Sequence, residues 1–392
     1  MKFNQEYFDE GLYRMGTRCE KWDHARQQNG DDVIPLWVAD MDFPSPPEVQ
    51  QAILARAAHP TYGYTGVEDD DHLALANFWK RRHGLDVAIE DVTLIPCVVT
   101  GLKLAITALT QPGDDVIITS PVYGPFRFSV TATGRTIMDA PLVHRENGRY
   151  DMDLDAIEAQ LKAGAKLMML CNPHNPVSRL WSREELQALI DLLKRYHVPL
   201  VSDEIHADFV YAPGEFTPAL SLETENVLSL CAASKTFNLA GLQQSACICK
   251  DEKIREAFRK TIDANGVTSG NIFALEATRA AYNHGDAWLD GLMAYLDSNR
   301  KFLAELVAQH LPKAVLSPME ATYLGWLDLR AYGYNCEQLA EMTVKAGVQF
   351  TGGTFFGDCG DGFLRVNIGC PRRYLEEGMI RLAVALEKED EE

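Results

Sequence analysis

Residues 227–242 read VLSLCAASKTFNLAGL. The first eight are apolar or small and carry no charge, and Lys235 follows at once. A short run that is apolar on both faces reads as a buried strand, which puts Lys235 at a strand's carboxyl end. Lysine is ordinarily a surface cation, yet neither flank here reads as surface. Desolvation penalises the ammonium form, so a lysine in such a place gives up its proton readily. The neutral amine is then a nucleophile suited to Schiff-base chemistry.

The same alternation extends on both sides. VTLIPC (92–97), DVIITS (115–120), KLMMLC (166–171), VPLVSDE (198–204) and SACICK (245–250) read as further apolar strands. Between them GLKLAITALT (101–110), LDAIEAQLKAG (154–164) and REELQALIDLLKRYH (183–197) have helical spacing. Strands that alternate with helices predict an α/β fold with a mainly parallel sheet covered by helices. Ligands in such folds bind beyond the carboxyl ends of the strands. Polar clusters at 97–101, 172–175, 203–206 and 234–235 fall at those ends. After residue 285 the character changes. A long helix over 286–310, then TYLGWLDLR (322–330), a helix over 336–346, FLRVNIG (363–369) and a final helix suggest a smaller α+β domain. The expected division is a large domain over 48–285, with 1–47 and 286–392 forming a small domain and an N-terminal arm.

Bulk properties narrow the function. A chain of 392 residues can bury one large or two medium cores. With 37 basic against 56 acidic residues the formal charge is -19, which argues against a nucleic-acid or anionic-membrane surface. The nine cysteines are odd in number, lack a CxxC pair and fall partly inside apolar runs, which predicts a reducing, cytoplasmic setting without disulfides or zinc. The opening MKFNQEYFDEG has no apolar signal core, and no membrane-length apolar run occurs. The EKEDEE end reads as a solvated helix tail.

Four other clusters carry chemistry. Asp203, at the end of VPLVSD, reads alone as a cap or turn former; buried, its carboxylate needs a partner, and a protonated pyridine nitrogen is one. CNPHNPVSR (171–179) has two Asn-Pro steps that mark a constrained turn, and Asn175 can donate to a ring phenolate. CVVTGLKLAI starts a helix at 98–101, whose free N–H groups attract an anion such as phosphate. Arg365, in an otherwise apolar strand, needs a paired anion, either a structural one or a substrate carboxylate. No GxGxxG follows an early strand, so a nucleotide-binding Rossmann protein fits poorly.

Taken in order, WDHARQQNG, PLWVADMDFPSPPEV, HPTYGYTG, PVYGPF, NPHNPV, SDEIHADF, SKTFNLAGL, YLGWLDLR and GFLRVNIGCPR resemble the class I/II aminotransferase superfamily of fold type I pyridoxal phosphate enzymes. Within it the chain is similar to the MalY/PatB group of cystathionine β-lyases (C–S lyases), and the resemblance spans nearly the whole length. It implies a seven-stranded sheet and a homodimer with active sites at the subunit interface. It also implies that Lys235 carries pyridoxal 5'-phosphate as a Schiff base and that Asp203 pairs with the ring nitrogen. Asn175 would reach the ring hydroxyl oxygen and Tyr123 would stack on the ring. The backbone N–H groups of Val98 and Val99 would hold the phosphate, with Thr100 and Ser234 nearby. Arg365 would take the substrate α-carboxylate, and Tyr64 would reach the phosphate of the neighbouring subunit. Without the resemblance Tyr62 and Tyr64 read as ordinary core or interface aromatics.

The implied reaction is β-elimination from a small amino-acid substrate, a cysteine-type thioether such as L-cystathionine. Lys235 removes the Cα proton, a thiolate leaves, and pyruvate and ammonia remain; Tyr123 or Tyr64 can assist the proton transfers. His206, counted with the cofactor-binding residues, stands where a typical aminotransferase has Tyr. Gln243 stands where it has a phosphate-gripping Arg. Both match the lyase group. Transamination between an L-amino acid and a 2-oxo acid is the alternative; regulation by binding a transcription factor is another of a different class. Three positions depart from the lyase pattern. Ala232 replaces a phosphate-binding Ser, Ser178 replaces the Gly of NPVG, where positive φ costs glycine nothing, and Thr100 replaces a Pro. Thr100 is expected to compensate in part for the missing hydroxyl.

Overall fold

The computed structural model describes residues 2–267 and 270–389, so the last three residues of the acidic tail lie outside the described residues. The N-terminal arm holds helices α1 (Gln5–Glu10) and α2 (Ala25–Asn29) and strand β1 (Ile34–Pro35). Helices α3 (Pro47–Ala57) and α4 (Asp69–His83) follow. Then comes the alternation: β2 (Val92–Ile95), α5 (Val98–Leu109), β3 (Asp115–Ile118), α6 (Pro125–Ala132) and β4 (Thr136–Asp139). A short hairpin, β5 (Val143–His144) and β6 (Tyr150–Asp151), precedes α7 (Leu154–Ala163), β7 (Leu167–Cys171), α8 (Arg183–Tyr196) and β8 (Leu200–Asp203). Strand β9 (Val227–Cys231), the one-turn α9 (Ala233–Thr236) and β10 (Ser245–Ile248) complete the sheet, and α10 (Glu252–Ala264) and α11 (Ile272–His284) cover it.

The seven strands lie in the order β2-β10-β9-β8-β7-β3-β4, with β10 antiparallel to its neighbours. The remaining pairings are parallel. Because side chains alternate across a strand, each apolar run feeds two cores. Ile118, Met169, Val201, Leu230 and Cys247 pack beneath α5 and α6. Ile117, Leu170, Leu200 and Ala246 pack with α7 and α8 on the other face. Helix α8 shows the local logic. Leu186, Leu189, Ile190 and Leu193 recur at helical spacing and are buried, and the Ser182 hydroxyl caps the first turn by accepting from the Glu185 amide at 3.1 Å.

Strand β4 escapes the apolar-run reading because it is an edge strand with Thr136 and Asp139 exposed. The run before Lys235 also stops short of it. The strand ends at Cys231, and Lys235 sits in α9.

The C-terminal part has α12 (Asp286–His310), β11 (Val315–Leu316), β12 (Leu324–Asp328), α13 (Cys336–Lys345), β13 (Val348–Gln349), β14 (Thr351–Gly352), β15 (Phe363–Asn367) and α14 (Arg372–Glu389). Its four-stranded antiparallel sheet runs β11-β12-β15-β14. Strand β1 pairs in parallel with β13, which ties the N-terminal arm to this part. Among the described residues no helix is long and apolar enough to cross a membrane.

Candidate active site

A cavity of about 220 Å³ opens at the carboxyl ends of β7, β8 and β9 and at the start of α5. Because β10 runs antiparallel, its first residue, Ser245, meets the same rim beside Ile95. Val98, Val99, Tyr123, Asn175, Asp203, His206, Ser234 and Lys235 all line it. Eight residues named from sequence therefore converge on one space, although they come from positions 98 to 235.

Charge in this cavity is controlled by burial. Desolvation lowers the Lys235 ammonium to about 8, with Asp40 opposing the shift. Its Nζ donates to the Ala39 carbonyl at 2.5 Å. Desolvation raises the Asp203 carboxyl to about 7, and only the Ile205 amide, at 3.2 Å, and the charge of Lys235 hold it down. A buried carboxylate so poorly compensated is complementary to a cationic group delivered into the cavity. Burial also raises the Tyr123 phenol, and it lowers His206 to about 3, so that imidazole is neutral and its Nδ1 has no partner.

Arg365 and Tyr64 do not line the cavity wall. Arg365 stands just behind it on β15, where Nη1 donates to Asn175 Oδ1 at 3.2 Å and Nη2 to the Trp37 carbonyl at 3.0 Å and Thr351 Oγ1 at 3.3 Å. Burial lowers its guanidinium to about 10. Among the described residues it has no carboxylate partner, unlike Arg14 and Arg179, which pair with Asp40 and Glu320. Tyr64 is fully exposed. The PLWVADMDF stretch also finds its place here. Its carbonyls at Trp37 and Ala39 receive Arg365 and Lys235, and Asn367 fixes it by donating to Val38 O at 2.6 Å and Asp40 O at 2.8 Å.

The family model for aminotransferase class I and II matches residues 31–382. The chain belongs to this family. It is 40% identical to cystathionine beta-lyase PatB of Bacillus subtilis (strain 168), over 97% of this chain and 99% of that protein. A PLP-bound putative aminotransferase from Clostridium difficile 630 superposes with a TM-score of 0.94 at 36% identity, covering 97% and 99% of the two chains. The PLP-bound C–S lyase from Staphylococcus hominis superposes with a TM-score of 0.89 at 31% identity, covering 97% of each.

Of the three positions read as departures from the lyase pattern, Ser178 and Thr100 have a local account, and nothing in the structure explains Ala232. Ser178 takes the positive φ expected where the pattern has Gly, at 56°. Its buried hydroxyl bonds Thr322 Oγ1 at 3.0 Å and the Leu324 carbonyl, which offsets the backbone cost. Thr100 is absent from the cavity wall, and its hydroxyl turns back to Cys97 Sγ at 3.2 Å, the N-cap of α5. The hydroxyl at the rim that sequence reading missed is Ser245, which is 5% exposed. Cys247, two residues on, packs beneath α5, so strand alternation turns Ser245 to that side as well. The signal was the phase of SACI against the apolar core, which needs the strand's first residue to be known.

Proposed function

We propose that the chain is a pyridoxal phosphate-dependent carbon–sulfur β-lyase acting on a cysteine-type thioether such as L-cystathionine. The observation that carries the reading is the convergence of Lys235 and Asp203 in one cavity with no other compensating charge for the carboxylate. The residues fit the cofactor. Asp203 would take the ring nitrogen, Asn175 and His206 the ring's oxygen edge, and Tyr123 its face. The first amides of α5 at Val98 and Val99, with Ser234 and Ser245, would take the phosphate.

Bound there, pyridoxal phosphate would withdraw electrons from the substrate Cα and make its proton acidic. The chain's own groups do the rest. Lys235 Nζ, whose lowered pKa of about 8 makes the neutral amine accessible near neutral pH, accepts the Cα proton. Arg365, which lacks a carboxylate of its own, binds the substrate carboxylate through its fork and fixes which Cα bond faces Lys235. Tyr123 stays protonated because burial raises its phenol, so its O–H can pass a proton to the departing sulfur. The substrate loses its thiol, and one water then hydrolyses the remaining C–N bond to give pyruvate and ammonia.

The active unit in this reading is a homodimer in which Tyr64, exposed in one protomer, reaches the partner's phosphate subsite. A large domain over 48–285 carries the cofactor, and 1–47 with 286–392 closes over it. The nine free cysteines favour the reducing cytoplasm.

The test is product analysis of purified protein with pyridoxal phosphate and L-cystathionine, with and without a 2-oxo acid. Pyruvate, ammonia and thiol without an oxo acid are expected. Amino-acid product that depends on the oxo acid would move the assignment to aminotransferase, a second reading favoured by the likeness to the Clostridium protein.

A further inference from the structure

We infer that Glu204 works as an uncharged carboxylic acid that locks the turn carrying Asn175 to the strands leading to Asp203 and Lys235, and so positions the cofactor site. The inference rests on the pyridoxal phosphate reading for its consequence, but not for its geometry.

Asp203 and Glu204 are neighbours that face opposite ways. Val201 belongs to the core beneath α5, so Asp203 shares that face, while Ser202 and Glu204 point to the other core. Ser229 on β9 pairs in register with Ser202 and shares its face. Asn172, which follows β7, completes the group and donates through Nδ2 to the Thr217 carbonyl at 3.2 Å. All four side chains are buried, none more than 1% exposed.

Burial without a cationic partner argues for a proton on Glu204. Its Oε1 accepts from Ser202 Oγ at 3.0 Å and from the Ala219 amide at 2.8 Å. Its Oε2 makes no hydrogen bond, and neither do Asn172 Oδ1 and Ser229 Oγ; both side chains lie close enough to favour the ionised form, against the larger effect of burial. With Glu204 ionised, the donors at hand for Oε2 are the Ser229 O–H and the second Asn172 N–H, both uncharged, and no cation offsets the buried charge among the described contacts. With Glu204 protonated, the buried charge is gone and its O–H adds a donor for Asn172 Oδ1 or Ser229 Oγ after small rotations. Four segments then meet at one acid: the turn after β7, the end of β8, β9, and residues 217–219.

The charge environment agrees. Glu204 helps push up the Cys231 thiol on β9, as do Asp203 and Asp208, and the groups that act on Glu204 itself are the Ala219 amide and the uncharged side chains of Ser202, Ser229 and Asn172. Residues 172–173 and 217–219 bring only amide, hydroxyl and backbone groups. None of these is a cation, and burial raises Glu204 to about 7. A folded-state pKa above that of the unfolded chain makes stability fall as pH rises from about 4.5 to about 7, and level off above.

Gln copies the neutral acid, with an acceptor at Oε1 and a donor in place of the acid O–H, but does not ionise. Glu204→Gln should bind pyridoxal phosphate within about twofold of the parent and give the same visible absorbance of lysine-bound cofactor. Glu204→Ala should bind it about tenfold more weakly, since it leaves buried donors and acceptors unmatched. Without cofactor, the Tm of the Gln variant should match the parent at about pH 5 and exceed it by about pH 8. Asp203 titrates in both proteins and cancels from that difference. A Gln variant that loses cofactor affinity about tenfold, or a Tm difference that is flat with pH, would overturn the inference. If Glu204→Ala does not fold, the Gln comparison decides alone. If the parent takes up no cofactor, the reading of the site fails, while the Tm comparison still reports the state of Glu204.

Discussion

Lys235 and Asp203 show what burial does to single side chains. Each is worth little in sequence terms, since lysines usually sit on surfaces and aspartates usually cap turns. Together in one cavity, desolvation moves them to about 8 and about 7, the range in which a proton can pass at neutral pH. The capture of pyridoxal phosphate by the apo chain needs the neutral amine. Its rate should therefore climb about tenfold per pH unit below about 8 and level off above, as followed by visible absorbance in stopped flow. Lys235→Ala should remove that absorbance and lower pyruvate release by at least about a thousandfold. The phosphate subsite gives a second residue-level outcome. Ser245→Ala should loosen the cofactor several-fold in a fluorescence titration, whereas Thr100→Val should leave it unchanged because that hydroxyl is spent on Cys97.

At the scale of elements, the turn after β7 is the informative case. Its two Asn-Pro steps announce a constrained path, and the structure shows Ser178 there in the left-handed region at φ 56°. The conformation costs a non-glycine residue about 1 kcal/mol; the bonds to Thr322 and the Leu324 carbonyl offset it. Ser178→Ala keeps the strain and loses both bonds, so it should cost about 2 kcal/mol in denaturant unfolding. Ser178→Gly loses the bonds and the strain together, and should cost less. The sheet itself was legible where strands are apolar on both faces, as in LMMLC and VLSLC. It was not legible at β4, where one exposed edge dilutes the apolar pattern, nor at the last residues before Lys235, where the backbone turns helical within an unbroken apolar run.

For the molecule as a whole, Tyr64 stands fully exposed on a chain whose other site residues are gathered inside. In the proposed homodimer its phenol reaches the neighbouring phosphate subsite. Tyr64→Ala should then leave the Tm of the apo chain nearly unchanged and speed cofactor loss on dilution, as read by absorbance of the filtered protein. The sequence by itself determined the α/β class, the ordering of strand ends and the identity of most cavity residues. It could do so because burial dictates apolar runs, and reactive groups stand out against them. Only the tertiary structure decided which of those groups meet. It turned Thr100 away, brought in Ser245 through the antiparallel β10, and set the carbonyls of Trp37 and Ala39 against Arg365 and Lys235. Those contacts join positions up to 328 residues apart. They depend on strand direction, side-chain phase and loop path, none of which local composition specifies.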